Sequence, residues 1–91
     1  MKRLLKTLVF ASLLLFISCG NNPEKSRLYY DKGMDYLYHS QFEEAIEYFD
    51  KAIKFNDKNH EAYFYRGCAK YNIYQKDEAL EDYNKTLEID P

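Results

Sequence analysis

Residues 26–59, SRLYYDKGMDYLYHSQFEEAIEYFDKAIKFNDKN, and residues 60–91, HEAYFYRGCAKYNIYQKDEALEDYNKTLEIDP, decide how this chain folds: the second is the first displaced by 34 positions. Thirty-two positions pair without a gap. Seven are identical: Tyr29/Tyr63, Gly33/Gly67, Gln41/Gln75, Glu44/Glu78, Ala45/Ala79, Glu47/Glu81 and Lys51/Lys85. Seven more are conservative, among them Tyr30/Phe64, Lys32/Arg66 and Phe49/Tyr83. A gapless period of this length marks an array of like units. Each unit is too small to bury its own apolar side, so the units must stack.

Each unit reads as two helices. Tyr29, Tyr30, Gly33, Met34 and Leu37 recur at spacings of three and four, on one side of a helix. The pattern fades at His39-Ser40. Phe42, Ala45, Ile46, Phe49 and Ile53 form a second stripe, ended by a turn at 56–59. Ser40-Gln-Phe-Glu43 has the form of a capping box, with the serine starting the second helix. Glu47/Lys51, Asp50/Lys54 and Glu81/Lys85 are acid-first pairs at i,i+4, suited to outer faces. The second unit follows with Ala62, Tyr63, Gly67, Cys68 and Tyr71, then Ala79, Leu80, Tyr83 and Leu87. No segment alternates strictly and no Asn-Gly or Asp-Gly is present, so no strand is expected. Gly33 and Gly67 each cost about 1 kcal/mol against alanine inside a helix. Their recurrence at one phase points to close approach of two helices. Ala45 and Ala79 are expected to face the glycines, with Phe49 and Tyr83 filling the space beside them.

These residues resemble the tetratricopeptide repeat, whose pattern is W-x-x-L-G-x-x-Y, then A-x-x-x-F, then A and P. The resemblance covers 26–91. Tyr29 and Tyr63 replace the Trp, Lys32 and Arg66 the Leu, Lys70 the Tyr, Thr86 the Ala, and Asp57 the first Pro. It implies an all-α fold of four antiparallel helices in a right-handed stack, with repeats at 26–59 and 60–91. It also implies a groove lined by the first helix of each repeat. Carried over, that side holds Arg27, Tyr30, Met34, Leu37 and Tyr38, then Glu61, Phe64, Cys68, Tyr71 and Asn72. Members that clamp a C-terminal carboxylate use Lys and Asn where Tyr30 and Met34 stand here, so a clamp is not expected. The aromatic centre suits an apolar peptide or a partner helix. The alternative is that these side chains fill a shallow core.

The chain opens differently. Met1-Lys-Arg-Leu-Leu-Lys6 is basic, and 7–18 is almost wholly apolar. A spanning helix needs roughly 20 apolar residues, so 1–18 reads as a secretory signal. Phe16-Ile-Ser-Cys19-Gly20 resembles a bacterial lipobox, with Phe where Leu is usual. Cleavage before Cys19 and acylation of its sulfur would anchor the protein in a bacterial envelope membrane, the outer one favoured by Gly20 rather than Asp. Cleavage after Gly20, an uncleaved anchor and an incidental cysteine are the other readings. Residues 19–25 read as the lipidated cysteine and a tether, or Asn22-Pro23-Glu24 starts the first helix.

Composition narrows the function. Three of the 13 basic residues lie in the first six positions, so 20–91 hold ten against all 15 acidic ones. With no basic block, nucleic acid is not an expected partner. All ten tyrosines follow residue 28, and a phenol combines an apolar body with a polar tip. His39, His60 and Cys68 are the candidates for chemistry. His60 and Cys68 lie about 12 Å apart along a helix, beyond hydrogen-bond reach, so no nucleophile pair is formed. No metal spacing, phosphate loop or nucleophile elbow is present. No cofactor or metal is expected, and the protein is not expected to be an enzyme. The expected role is lipid-anchored adaptor or assembly factor. The alternatives are a self-associating structural protein and a small-ligand or peptide binder. Leu80, Tyr83, Leu87 and Ile89 of the last helix lack a following unit. That predicts homo-oligomer formation through this helix or docking onto a larger partner, unless the reading frame is truncated.

Overall fold

The computed structural model describes residues 21–91. It contains four helices: α1 Pro23–Tyr38, α2 Phe42–Phe55, α3 His60–Asn72 and α4 Lys76–Ile89. No strand occurs among the described residues. The all-α architecture of two helix pairs expected from the 34-residue period is what is observed. The signal segment assigned to 1–18 and the lipidation assigned to Cys19 lie outside the described residues.

Asn22 caps α1: its side chain accepts from the Lys25 backbone N–H at 3.0 Å, and Pro23 takes the first turn. Of the two readings of this stretch, the one in which Asn22-Pro23-Glu24 starts the first helix is observed, because 23–25 are helical. The Asn22 backbone N–H donates to the Phe55 carbonyl at 2.8 Å, which fastens the start of α1 to the end of α2. Ser26 contacts Ala52 and Gly33 meets Phe49, so α1 and α2 run antiparallel.

The capping box at Ser40 does not form. Gln41 is the N-cap of α2, without a side-chain cap bond, and Ser40 has φ 57°. Ser40 instead belongs to the end of α1. Its N–H bonds to Leu37 O at 3.0 Å, and the Gln41 N–H bonds to Tyr36 O at 2.9 Å. These are the two bonds of a Schellman turn, whose left-handed residue is here serine rather than glycine. The second repeat does the same: Tyr74 has φ 68°, with bonds Tyr74 N–H to Tyr71 O and Gln75 N–H to Lys70 O. Terminating α1 takes precedence over capping α2 because Ser40 cannot adopt both backbone conformations.

The core centres on Tyr30, Ala45, Phe49, Ala52, Ala62 and Ala69. The close contact expected between Gly33 and Ala45 is displaced: the Phe49 ring lies directly on the glycine. A Cβ on Gly33 would sit 2.6 Å from Phe49 Cε1. At Gly67 the Tyr83 ring and the Ala79 carbonyl share the role, at 2.9 and 3.2 Å. Ala45, Phe49 and Ala79 are buried as packing residues should be, and Tyr83 is half-buried.

α3 joins the pairs by seating Ala62 and Ala69, both fully enclosed, against repeat one. Two small side chains on that face let α3 approach closely. Polar bonds fix the register. Ser26 Oγ donates to Ala52 O at 2.7 Å and accepts from Asn59 Nδ2 at 3.2 Å. In the second pair the polarity reverses, and Thr86 Oγ1 of α4 donates to His60 O at 3.3 Å.

Candidate partner-binding surface

Tyr30 is not on an open groove. It is 8% exposed, its ring 6.0 Å from Phe49 and 6.2 Å from Tyr65, and its hydroxyl donates to Glu61 Oε2 at 3.2 Å. It is a junction residue between repeats, because α3 packs over the face that it occupies. Burial, followed by the Glu61 charge, pushes its hydroxyl well above the usual tyrosine range. Met34 and Leu37 likewise pack partly against the core. What stays open is Tyr38 (79% exposed), Phe64 (42%) and Tyr71 (54%), with Cys68 half-buried between them. Phe64 is held edge-on to Tyr65 at 5.1 Å and tilted against Tyr83 at 5.6 Å. Burial and the Cys68 thiol push the Tyr83 hydroxyl up to about 12. A recess along α1 is lined by Leu28, Asp31, Lys32, Met34, Asp35 and Tyr38. It takes in Met34 and Tyr38 of the expected groove and none of its second-repeat residues.

The charges are arranged differently from the i,i+4 pattern. Asp50 does not pair with Lys54: it accepts from Arg66 Nη1 of the next repeat at 2.7 Å. Arg66 also binds Asp82 through Nε at 2.9 Å and Nη2 at 2.7 Å, and Lys70 reaches Asp82 at 3.3 Å. Asp82 is buried, whereas the other carboxylates of α4 are exposed. Burial opposes the charge on Arg66, but the hydrogen bonds to Asp82 and Asp50 outweigh it and strengthen its basicity. Lys51 does not bridge to Glu47; it lies over the Tyr48 ring at 4.8 Å. Lys85 pairs with Glu88 at 3.4 Å rather than with Glu81.

The signal for this cluster was present in the repeat alignment. Tyr36 and Tyr48 of repeat one stack at 5.3 Å. Their counterparts are Lys70 and Asp82. Both members of one contact change together, from aromatic to ionic.

His39 Nδ1 donates to Asp35 O at 2.7 Å, a local bond at a helix end. His60 lies 3.6 Å from Asp90. Among the described residues no group of three or more His, Cys, Asp or Glu is placed to hold a metal.

Comparison with known proteins agrees with this geometry. A model of the tetratricopeptide repeat matches residues 26–59, and a second one matches 60–91. An uncharacterised protein of Methanocaldococcus jannaschii is 32% identical over 69 residues, covering 76% of this chain and 80% of that protein. Human tetratricopeptide repeat protein 6 is 45% identical over 38 residues, 42% of this chain and 7% of the human protein's length. With two helix pairs packed in register and both copies of the period matched, this chain belongs to the tetratricopeptide repeat family.

Proposed function

We propose that this protein is a non-catalytic adaptor or assembly factor, held at a bacterial envelope membrane by lipid on Cys19. In this reading its two repeats bind an apolar peptide or helix. Repeats of this family mediate protein–protein interaction. The observation that carries the reading is the exposure of Tyr38, Phe64 and Tyr71 along the first helices of the two repeats. Aromatic side chains left open in this way are the usual anchors of an interface. Tyr30 is excluded from the contact set because the fold has already buried it.

The test is capture of the partner from cells by wild type and by Tyr38→Ala/Phe64→Ala. Retention of the wild-type partner by the double variant, with unchanged helicity, contradicts the reading. The anchor is tested by radioactive palmitate labelling, which Cys19→Ser must abolish.

A second reading, self-association through α4, is favoured by one comparison. Ile46 and Ile53 of α2 pack against the core beside α3, whereas their counterparts Leu80 and Leu87 are 58% and 61% exposed. Sedimentation of Leu80→Glu/Leu87→Glu beside wild type distinguishes it: a mass unchanged by the double variant removes this reading.

A further inference from the structure

A second surface lies along the α1/α2 pair, away from Phe64 and Tyr71. Four rings stack there in a row. Phe55 lies on Tyr29 (5.7 Å, 12°), Tyr29 on Tyr48 (6.2 Å, 27°), and Tyr48 on Tyr36 (5.3 Å, 11°). Three exposed lysines cover them. Lys25 is 5.3 Å from the Phe55 ring, and Lys32 is 5.9 and 5.8 Å from Tyr29 and Tyr48. Lys51 is 4.8 Å from Tyr48 and 5.7 Å from Tyr29. Among the described residues none of the three lysines forms an ion pair with a carboxylate. By helical register Glu44 shares this edge, one turn before Tyr48. At the same register in repeat two, Arg66 and Lys70 are neutralised by Asp82. The matching edge of repeat two therefore carries no such surplus, although Lys54, Lys58 and Lys76 elsewhere also make no ion pair.

We propose that this lysine-covered aromatic face rests on an anionic lipid bilayer and sets the orientation of the repeats above it. The proposal relies on the Cys19 anchor described above. The Asn22–Phe55 backbone bond holds the entry of α1 at one end of the ring row. Two residues, Gly20 and Asn21, separate Cys19 from Asn22, and the three steps between them reach roughly 10 Å when extended. Such a tether keeps the near end of the face, at Lys25, within about one Debye length, near 10 Å at 0.1 M salt, of the surface. Lysines are drawn to anionic headgroups, and tyrosine and phenylalanine rings suit the interfacial layer. The acidic remainder of the domain is repelled, so an anchored molecule turns this face down.

The test uses the full-length protein in vesicles of phosphatidylcholine alone or mixed with phosphatidylglycerol, recovered by flotation. Lysine acetylation is then read residue by residue by mass spectrometry. Lys25, Lys32 and Lys51 are expected to react several-fold more slowly on the phosphatidylglycerol vesicles, with Lys76 and Lys85 of repeat two unchanged. High salt should erase the difference. A chain that floats but shows equal rates at Lys25, Lys32 and Lys51 on both vesicles overturns the proposal alone. A chain that does not float overturns the anchor on which it rests.

Discussion

Gly33 and Gly67 share a phase and a reason, yet they differ in how much room their neighbours have. Phe49 is fully enclosed and cannot retreat from a new methyl 2.6 Å away. Tyr83 is half-buried and can swing. Gly33→Ala should therefore cost about 2–3 kcal/mol by overpacking, partly offset by about 1 kcal/mol of helix propensity. Gly67→Ala should cost less than Gly33→Ala, because the ring can give way and only the Ala79 carbonyl, 3.2 Å from the new methyl, cannot. Chemical denaturation of the two variants checks the order, and an equal loss would mean that the ring contact is not what selects glycine. Tyr74 offers the opposite case. It holds a left-handed conformation with its side chain in solvent, which costs an L-residue roughly 1–2 kcal/mol. Tyr74→Gly should raise stability by about 1 kcal/mol, a rise of roughly 4–8 °C in Tm for a domain this small. The glycines were legible in the sequence because both repeats carry them. The turn residues were not, because Ser40 and Tyr74 look unlike each other and neither is the expected glycine.

The helices were legible as elements and their junctions less so. Period and stripe located all four, since an amphipathic pattern repeated 34 residues later leaves little freedom. Ser40 also matches a helix start, and only the backbone shows that it ends the preceding helix instead. The charge cluster between repeats was hidden for a related reason. Asp50 and Asp82 stand on helix flanks that read as solvent-facing until α3 brings Arg66 between them. Asp82→Asn should destabilise by about 1.5–3 kcal/mol, because it removes the counter-charge shared by half-buried Arg66 and Lys70 and leaves Arg66 only Asp50. Lys70→Tyr/Asp82→Tyr copies the stack that repeat one already uses and should recover most of that loss. Thermal melts of the single and double variants decide whether the ionic and aromatic solutions are interchangeable.

For the whole molecule, two repeats act as one body through Tyr30, Tyr65, Ala62 and Ala69. That gives the fold an alkaline weakness. Tyr30 and Tyr83 keep their protons beyond pH 10, where a free tyrosine ionises. Above that pH the unfolded chain loses those protons first. Stability is therefore whole below pH 10 and declines as pH rises toward about 12, the range set by Tyr83. Denaturation midpoints at stepped pH should fall across this range, and Tyr83→Phe should flatten the decline. The side proposed for a partner was half legible. Repeat register located Tyr38, Phe64 and Tyr71, but it assigned Tyr30 to the same surface because one sequence position cannot reveal which neighbour covers it.

The central claim is that the exposed aromatic side of α1 and α3 is where a partner binds. Photo-crosslinking in cells tests it most directly, with a crosslinking amino acid at position 38, 64 or 71 and controls at 47 and 81. One shared crosslinked protein is expected from the first three positions and none from the controls. A partner captured equally well from 47 and 81, or from those alone, would contradict it.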